Sequence, residues 1–488
     1  MSIALLVGWS LAVLATMLAE VPVTAPYFGI RVVDAATGRG VPLIELRTVN
    51  DISFFTDSNG WVAFREPGLM DRDVYFAVSG PGYEHGKDGF GFRGVRLATK
   101  PGTSATVKIT RTNIAERMTR VTGQGIYRDS ALLGLAKPNE PNIEAGVMGQ
   151  DSVQAVPYRG KLFWLWGDTN LPNYPLGNFQ TTAATSPHDG KPDDGIRLTY
   201  FTDPARPEFV RKMVPFNEPG PIWLFGLLTV ADDKKQDVLI SHFTRRKNLA
   251  EELEHGLVKF DDNSGTFAKL STLPSTEKWR FPRGNAVRIG EYYYFAFPFF
   301  HTRVKATLED VRTPDRYEAF AFDPKSKAYA WQRDAAPTTQ AEEAKLIAAK
   351  AMASDRARYR ITDAVSGKPV QIHFSSIAWN EYRKRWVLIG VESGTKDSPS
   401  ALGEVWYAEA DEPTGPWGKA VKIASHPRYS FYNPRQHAFY AADGGRIIYF
   451  EGTYTTTFSG NPTPTPRYEY NQLLYRLDLS DERLKIAR

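Results

Sequence analysis

The sequence predicts an all-β protein: an N-terminal β-sandwich followed by a five-bladed β-propeller. Aromatic residues make up 13% of the 488 residues, which is typical of proteins built from β-sheets. Short alternating strands with regularly spaced turn signals fill residues 27–112, and this spacing favours a small sandwich. From about residue 120 one strand–turn–strand plan recurs at intervals of roughly 50 to 90 residues, which is a blade period with insertions.

Composition and motifs narrow the functional classes. The formal net charge is +5 and the basic residues are scattered along the chain, so a nucleic-acid partner is not predicted. The chain has no cysteine, which excludes disulfides and thiolate chemistry. A phosphate-binding glycine loop, an HExxH metal motif and a GxSxG elbow are all missing from the sequence. No cofactor is predicted, although carboxylates beside histidine would suit a structural calcium ion whose ligands the sequence does not identify.

The N-terminus predicts export. Residues 3–18 (IALLVGWSLAVLATML) form an uncharged apolar run, shorter than the ~20 residues that a membrane-spanning helix needs. We interpret residues 1–25 as a secretory signal peptide and expect a secreted or periplasmic protein. No lysine or arginine precedes the run, so a retained membrane anchor or a wrongly chosen start codon is the alternative. No other segment predicts a membrane span.

The first folded unit is predicted over residues 27–112. Its strand signals are FGIRVVD (28–34), IELRTV (44–49), WVAF (61–64), VYFAVS (74–79) and ATVKITR (105–111). The pattern VVDAATGRGVPLIELRT…FFTDSNGWVAF resembles carboxypeptidase-regulatory-like, transthyretin-like sandwich modules. This resemblance implies a role in packing or adhesion, because such modules usually perform no chemistry.

The predicted propeller covers residues 120–488 and rests on five repeats. Each has an apolar strand, a short polar turn and an aromatic-rich second strand; they occupy residues 152–169, 226–244, 284–300, 375–392 and 435–453. Between the third and fourth repeats, Thr339 and Glu342 predict a helix-capping box. The Ala-rich sequence that follows predicts a surface helix over about residues 339–358.

Hairpin geometry places polar residues opposite one another. In an antiparallel hairpin, facing residues have a constant index sum. The first turn gives a sum near 319, so Asp151 should face Asp168 with Cα atoms roughly 4.5–5.5 Å apart. The same reasoning pairs His437 with Glu451 through a turn at 443–445, and Glu392 with His373 in the fourth repeat.

The entry ends of the inner strands of a propeller gather at one mouth of the central channel. Two facing carboxyl groups there should have at least one raised pKa, and glycoside hydrolysis typically uses two carboxyl groups. The residues expected to converge at the mouth are Asp151, Asp168, Arg283, Glu392, Arg435, His437 and Glu451. Aromatic residues expected to stack on sugar rings are Trp164, Trp166, Phe431, Tyr432, Tyr468 and Tyr470.

A structural role explains the same residues without chemistry. An aspartate in a Gly-Asp-Thr sequence often bonds backbone amides in a turn, and polar residues of inner strands often only tie blades together. The functional hypothesis is favoured for the set as a whole, because binding sites prefer such a concave mouth.

Four motifs carry a family resemblance: GQDS (149–152), WLWGDT (164–169), DEPTGPW (411–417) and YFEGTY (449–454). The region resembles the five-bladed propeller glycosidases, which include arabinanases and xylosidases, and a bacterial propeller family marked by GQD…WGDT. Those glycosidases carry an acid at the start of the first inner strand, which Asp151 matches. The second and third repeats depart from the pattern, since Gly226 and Arg283 stand where further acids are expected.

The resemblance and the predicted mouth together suggest an exported glycoside hydrolase acting on a poly- or oligosaccharide. Asp151 would be the base or nucleophile, Asp168 would tune it, and Glu451 would be the general acid with Glu392 as its substitute. The residues expected to bind substrate are Arg283, Arg435, His437, Trp166, Tyr432 and Tyr468. The alternative is a non-catalytic propeller that binds carbohydrate or protein. The sequence gives no prediction of oligomeric state.

Overall fold

A computed structural model describes residues 26–135, 145–273, 278–394 and 398–487. Strands dominate these residues, so the predicted all-β class is confirmed. The predicted signal peptide, residues 1–25, lies outside them. Within the described ranges, no helix has both the length and the apolar character needed to cross a bilayer.

The N-terminal unit contains eight strands around one apolar core. They are β1 (Phe28–Asp34), β2 (Glu45–Thr48), β3 (Ser53–Phe55), β4 (Trp61–Phe64), β5 (Asp73–Gly80), β6 (Tyr83–Glu84), β7 (Gly94–Ala98) and β8 (Ser104–Arg111). The strand order is β3-β2-β5-β6-β8-β1-β4, with β7 also on β5. Val74, Phe76 and Val78 alternate along β5 and are buried with Ile30 and Phe64, because successive strand residues point to opposite faces.

Two elements connect this unit to the rest of the chain: β9 (Glu116–Arg120) and α1 (Arg128–Leu132). Arg117 on β9 is fully buried. Its guanidinium donates to the carbonyl oxygens of Pro42 at 3.0 Å and Pro81 at 2.7 Å. These bonds hold the N-terminal unit against the following sheets.

Sheet 1 begins the larger part of the molecule. The strands in this region are β10 (Gly149–Gln150), β11 (Gln154–Tyr158), β12 (Lys161–Trp166), β13 (Thr169–Leu171), β14 (Tyr174–Asn178), β15 (Thr182–Pro187), β16 (Thr199–Tyr200), β17 (Thr202–Asp203) and β18 (Arg206–Val210). Sheet 1 has the order β11-β12-β15-β16, and β10-β13-β14 and β17-β18 form two small sheets beside it.

Sheets 2 and 3 follow in chain order. Sheet 2 contains β19 (Ile222–Ala231), β20 (Asp237–Arg246), β21 (Glu252–Asp261) and β22 (Thr266–Thr272). Sheet 3 contains β23 (Asn285–Ile289), β24 (Tyr292–Ala296), β25 (Phe300–Lys305), β26 (Glu318–Asp323) and β27 (Ala328–Gln332), with α2 (Leu308–Arg312) between β25 and β26.

Helix α3 (Gln340–Ala348) separates sheets 3 and 4. Sheet 4 contains β28 (Thr362–Asp363), β29 (Ile372–Asn380), β30 (Arg385–Glu392), β31 (Glu404–Ala410) and β32 (Lys419–Ser425). Sheet 5 contains β33 (Ser430–Gln436), β34 (Ile447–Thr455) and β35 (Asn471–Asp478), and takes β9 as its outer strand. Short 3₁₀ turns lie at Pro192–Asp194, Lys278–Arg280, Pro314–Arg316, Ser354–Arg356, Ala438–Tyr440, Asp443–Gly445 and Glu482–Ala487.

The five sheets form a ring. Their first strands contact one another in chain order, from β11 through β19, β23 and β29 to β33. Sheets 5 and 1 close the ring, where the backbone N–H of Ser152 donates to Thr453 Oγ1 at 3.0 Å. Apolar clusters fill the spaces between neighbouring sheets. The face on which the five first strands begin is called the mouth below.

The predicted capping box at the start of α3 is confirmed. Thr339 Oγ1 accepts from the N–H of Glu342 at 3.3 Å, and Glu342 Oε2 accepts from the N–H of Thr339 at 2.7 Å. The predicted length is wrong, because α3 ends at Ala348. Lys350 has φ 59°, a left-handed conformation that does not continue a right-handed helix.

Candidate functional site

Asp151 and Asp168 face each other at the open end of the first hairpin. Gln150 pairs with Thr169, which gives the predicted index sum of 319. The backbone N–H of Asp168 donates to Asp151 Oδ1 at 3.0 Å. The predicted register of this hairpin is therefore confirmed. The same contact explains Gly167, where a Cβ would lie 2.3 Å from Asp151 Oδ1.

Three hydroxyl groups, two of them from the sheet 5 region, hydrogen-bond to Asp151. Tyr432 donates its phenol O–H to Asp151 Oδ2 at 2.7 Å. The side chains of Tyr470 and Ser152 also hydrogen-bond to this carboxyl group. Asp151 is partly exposed, so it belongs both to the ring closure and to the surface of the mouth.

Asp168 has less exposed surface and fewer hydrogen-bond donors than Asp151. It is 8% exposed, and its Oδ1 accepts from Trp223 Nε1 at 2.7 Å. Trp223 is on β19, so this bond joins the end of sheet 1 to the start of sheet 2. Phe179 contacts the Trp223 ring at 5.3 Å between centroids, which fixes the indole beside the carboxyl group.

The environments of the two carboxyl groups raise both pKa values. Burial raises the pKa of Asp151, while its hydrogen-bond donors act in the opposite direction. Burial and then the charge of Asp151 raise the pKa of Asp168 to about 7. Because the two groups interact, they titrate as a pair, and they retain a proton near neutral pH. The raised pKa that the sequence predicted for at least one of the two facing carboxyl groups is thus present in this pair.

Three residues beside Asp151 have left-handed backbone conformations. They are Ser152 (φ 56°), Asn433 (φ 52°) and Tyr470 (φ 59°). Asn433 Nδ2 donates to Ser152 Oγ at 2.8 Å, which links two of them. Such conformations are uncommon outside glycine and tend to cluster at functional sites.

The fifth-sheet pair differs from the prediction in register and in burial. Arg435, rather than His437, faces Glu451 across β33 and β34. The connection holds two 3₁₀ turns, Ala438–Tyr440 and Asp443–Gly445, so it is longer than the tight turn assumed. His437 Nε2 still lies 2.7 Å from Glu451 Oε1, and both side chains are 0% exposed.

This buried cluster ties sheets rather than facing the mouth. Arg435 donates to the carbonyl oxygen of Ala155 on sheet 1 at 3.3 Å, and the ring of Trp164 contacts His437 at 5.1 Å. Since Glu451 and His437 have no exposed surface, the geometry does not support the predicted roles of Glu451 as general acid and of His437 and Arg435 as substrate ligands.

Glu392 lies apart from the Asp151–Asp168 pair. It faces Ile372 instead of the predicted His373, because a bulge between Ile372 and Phe374 leaves His373 as the extra residue. Glu392 accepts from Trp406 Nε1 at 2.7 Å and from Ser398 Oγ at 3.0 Å. These contacts place it in a separate cavity beside α3.

Arg283 takes part in an ion pair. Its guanidinium lies 2.6 Å from Glu252 Oε2, with about a third of its side chain exposed (35%). It also lies over the Phe225 ring, 5.4 Å from the centroid. The arginine therefore joins sheets 2 and 3, and Glu252 already compensates its charge.

Most of the predicted stacking residues belong to the core. Trp166 is 1% exposed and stacks on Trp164, while Phe431 is fully buried. Tyr468 is also buried, and its hydroxyl donates to the carbonyl oxygen of Thr56 in the N-terminal unit at 2.6 Å. The predicted substrate-stacking roles of Trp166 and Tyr468 are wrong, since their rings lack exposed faces. Of the predicted set, Tyr432 and Tyr470 adjoin Asp151.

Other aromatic residues offer more surface near the strand-entry ends. Phe297 is 51% exposed and Phe458 is 50% exposed. Phe458 contacts Tyr432 and Phe297 contacts Phe374, at 5.1 and 5.9 Å between centroids. The sequence reasoning assigned no role to Phe297, Phe374, Phe458 or Trp223. Their positions at the same strand ends as the acidic residues are the signal that could have identified them.

No group of three or more histidine, aspartate or glutamate side chains suited to a metal ion occurs in the part of the chain that the structure describes. The calcium site that the sequence left open therefore has no candidate ligand group among those residues.

No protein-family model matches the chain, and no curated protein sequence matches it. Several solved structures are similar to it. An exo-1,5-α-L-arabinanase from a bovine ruminal metagenomic library is 11% identical, with a TM-score of 0.35, over 69% of this chain and 95% of its own. An α-L-arabinanase from Penicillium chrysogenum is 12% identical, with a TM-score of 0.37, over 75% and 99% of the two chains.

An α-L-arabinofuranosidase from Fusarium graminearum is 10% identical, with a TM-score of 0.38, over 75% of this chain and 99% of its own. All three TM-scores lie below 0.5, so the functional conclusion depends on the site itself.

Proposed function

We propose that this protein is a glycoside hydrolase whose acid–base pair is Asp151 and Asp168. The observation that carries the proposal is the facing carboxyl pair, in which burial raises both pKa values and that of Asp168 reaches about 7. General acid–base catalysis is most efficient when the pKa of the acid lies near the working pH. Asp168 meets that condition at neutral pH.

The two environments suggest different roles for the two carboxyl groups. Among the described residues, Asp168 accepts from one side-chain donor, Trp223, and it would hold the proton that passes to the leaving glycosidic oxygen. Asp151 has several donors, which favour its charged form. It would accept the proton of the attacking water as the C–O bond at the anomeric carbon breaks. Glu451 and Glu392 have no part in this assignment.

The partly exposed aromatic residues supply the expected sugar-binding surface. Phe297 and Phe458 are each about half exposed, and Tyr470 lies against Asp151. Aromatic faces pack against the apolar C–H faces of sugar rings. The proposed substrate is therefore a poly- or oligosaccharide bound across the mouth.

The proposal is tested by screening the purified full chain against plant, algal and bacterial polysaccharides and measuring released reducing ends. Asp151→Asn and Asp168→Asn should each lower the rate about 100-fold or more, as removal of a general acid or base does. Asp262→Asn is the matched control. Asp262 accepts from the Tyr158 hydroxyl at the opposite end of the same hairpin, and its side chain is 39% exposed. Full activity in either mouth variant would contradict the assignment.

A non-catalytic carbohydrate-binding protein is the second candidate. One observation favours it: both oxygens of Asp151 already accept hydrogen bonds from the protein, from the Asp168 N–H and the Tyr432 hydroxyl. Under this alternative the wild-type chain would bind one polymer without releasing reducing ends. Asp151→Asn would then change the affinity for that polymer, and neither the variant nor the wild type would show a hydrolysis rate.

Export is a further part of the proposal, and the uncharged apolar run at residues 3–18 supports it. N-terminal sequencing of the protein recovered from the periplasm or medium tests it. A new N-terminus near residue 25 supports cleavage, and an intact Met1 in a membrane fraction contradicts it.

A further inference from the structure

A second cavity lies between α3 and sheet 4, apart from the Asp151–Asp168 pair. Its volume is about 1090 Å³, the size of a small-molecule site. One wall is α3, a second is the segment from Tyr359 to Gln371, and the third comes from sheet 4. Glu392 and Trp406 belong to this third wall.

Hydrogen bonds fix the wall formed by α3. Gln340 Nε2 donates to the carbonyl oxygen of Tyr359 at 2.7 Å, and Gln371 Nε2 donates to Gln340 Oε1 at 2.7 Å. Glu343 is 2% exposed and accepts from the backbone N–H of Tyr359 at 2.9 Å. The helix is therefore anchored to the facing segment, and the cavity is preformed.

Four of the six residues that α3 contributes to the cavity lining are apolar. Ala341, Ala344, Ile347 and Ala348 line it from the helix, at the three- and four-residue spacing that puts side chains on one face. Val370 lines the facing wall. These side chains are small, so they leave space that an aliphatic group would occupy with favourable burial.

Glu392 brings a negative charge to the cavity. Its carboxylate is held by the Trp406 indole and the Ser398 hydroxyl, both neutral donors. Within the described ranges of the chain, no basic side chain forms an ion pair with it. Lys422, which also lines the cavity, pairs instead with Glu404 at 2.7 Å. A partly buried carboxylate without a counter-charge is costly, and a ligand cation would compensate it.

Two exposed basic side chains also lie at this cavity. Arg360 and Lys368 line it, and neither forms an ion pair with any residue that the structure describes. In addition, the buried Tyr359 lines the cavity, and its hydroxyl has no hydrogen-bond partner among those residues. Two further carboxylates line the cavity, and each already accepts a backbone N–H: Glu343 from Tyr359 and Asp363 from Val365. The lining thus combines Glu392 with two cations that form no ion pair among the described residues, an unpartnered hydroxyl and an aliphatic wall.

We propose that this cavity binds a zwitterionic ligand with an apolar body, namely a short aliphatic peptide with free ends. Its ammonium group pairs with Glu392, its carboxylate pairs with Arg360 and Lys368, and its side chains pack on Ala344 and Ile347. This inference does not depend on the function proposed for the mouth.

Isothermal titration of the full chain with the tripeptide Leu-Leu-Leu tests the proposal. N-acetylation or C-terminal amidation of the peptide should each weaken binding about tenfold, which is the usual size of one charge-assisted hydrogen bond. Glu392→Gln should weaken binding and remove the effect of N-acetylation. Arg360→Gln combined with Lys368→Gln should weaken binding and remove the effect of amidation. Ala344→Trp should fill the cavity and abolish binding.

Two controls isolate the cavity. Lys345→Gln changes an exposed charge of the same helix that does not line the cavity, and it should bind the peptide as the wild type does. The Asp151→Asn variant should also bind the tripeptide as the wild type does. Peptide binding at the cavity is therefore tested independently of the catalytic roles proposed for Asp151 and Asp168. Thermal unfolding of each variant shows whether it is folded. Absence of tripeptide binding by the wild type, or equal binding of free and capped peptides, would overturn the proposal.

Discussion

The first and fifth sheets carry facing polar groups on similar hairpins, and the two sites differ in what surrounds them. Asp151 and Asp168 adjoin the mouth, where Asp151 is partly exposed. Glu451 and His437 are fully buried and bonded to each other at 2.7 Å. Both sites lie at the junction of sheets 5 and 1, which is crossed by hydrogen bonds that include Ser152 to Thr453 and Arg435 to Ala155. The position of a polar pair on a hairpin therefore does not determine its chemical environment. That environment depends on how deeply the pair is buried and on which side chains contact it.

The partner explains the difference in chemistry. The negative charge of a buried carboxylate beside histidine and arginine is compensated by these neighbours, so the group can connect two sheets. Two facing carboxyl groups cannot compensate each other, so burial leaves them with raised pKa values. The first arrangement stabilises the ring, whereas the second keeps a proton available near neutral pH.

The largest expected effect is the loss of stability when the buried Glu451 carboxylate is removed. Glu451→Ala leaves His437 and Arg435 without their buried anion, and it should lower the free energy of unfolding by about 3–5 kcal/mol. Urea denaturation measures this loss. Glu451→Gln keeps an acceptor for His437 and should cost clearly less. A loss below about 1 kcal/mol for the alanine variant would contradict the stabilising role assigned to the Glu451 cluster.

The Asp151–Asp168 pair should make the free energy of unfolding depend on pH. The folded-state pKa of Asp168 is raised to about 7 from 3.8, so the folded state binds more protons between these values. Unfolding free energy should then fall as pH rises from about 4 to about 7. Asp168→Asn should remove on the order of 4 kcal/mol of this fall. Urea denaturation at several pH values measures it, with Asp262→Asn as the control, and an unchanged pH slope would contradict the raised pKa.

A smaller effect is expected from the donor on sheet 5. Tyr432→Phe removes the hydroxyl that donates to Asp151 Oδ2 and keeps the ring against Phe458. The unfolding free energy should fall by about 1.5 kcal/mol, as for a lost hydrogen bond to a charged group. Chemical denaturation at neutral pH measures it. Tyr382→Phe, at a phenol that is 45% exposed, should have no effect, and equal losses in both variants would contradict this account.

The smallest expected effect is on the pKa of Asp168. Trp223→Phe removes the indole N–H that donates to Asp168, the only side-chain donor to it among the described residues. This donor lowers the pKa of Asp168, so its loss should raise that pKa further by about half a unit. Carboxyl carbon chemical shifts followed against pH measure the change. Trp379→Phe is the control, because its indole donates to the exposed Glu381. A fall in the pKa of Asp168 would show that the indole does not act as a donor.

The local features of the sequence predicted several elements correctly. Strand alternation and turn residues gave the all-β class and the register of the first hairpin, because its turn is tight and its strands are regular. The capping box at Thr339 was also predicted correctly, because it depends only on two side chains that are three residues apart. The His437–Glu451 and His373–Glu392 registers failed, because 3₁₀ turns and a bulge add residues that strand periodicity does not reveal.

The sequence by itself determined which polar residues lie near strand ends, since that follows from alternation and turn chemistry along the chain. Tertiary structure alone decided which of them reach solvent, because exposure depends on what packs over a strand from distant parts of the chain. Tyr468 is covered by Thr56 from the N-terminal unit, and Glu451 is enclosed between sheets 5 and 1. Asp151 keeps some exposed surface at the ring closure, and this difference in burial assigns the candidate chemistry to sheet 1.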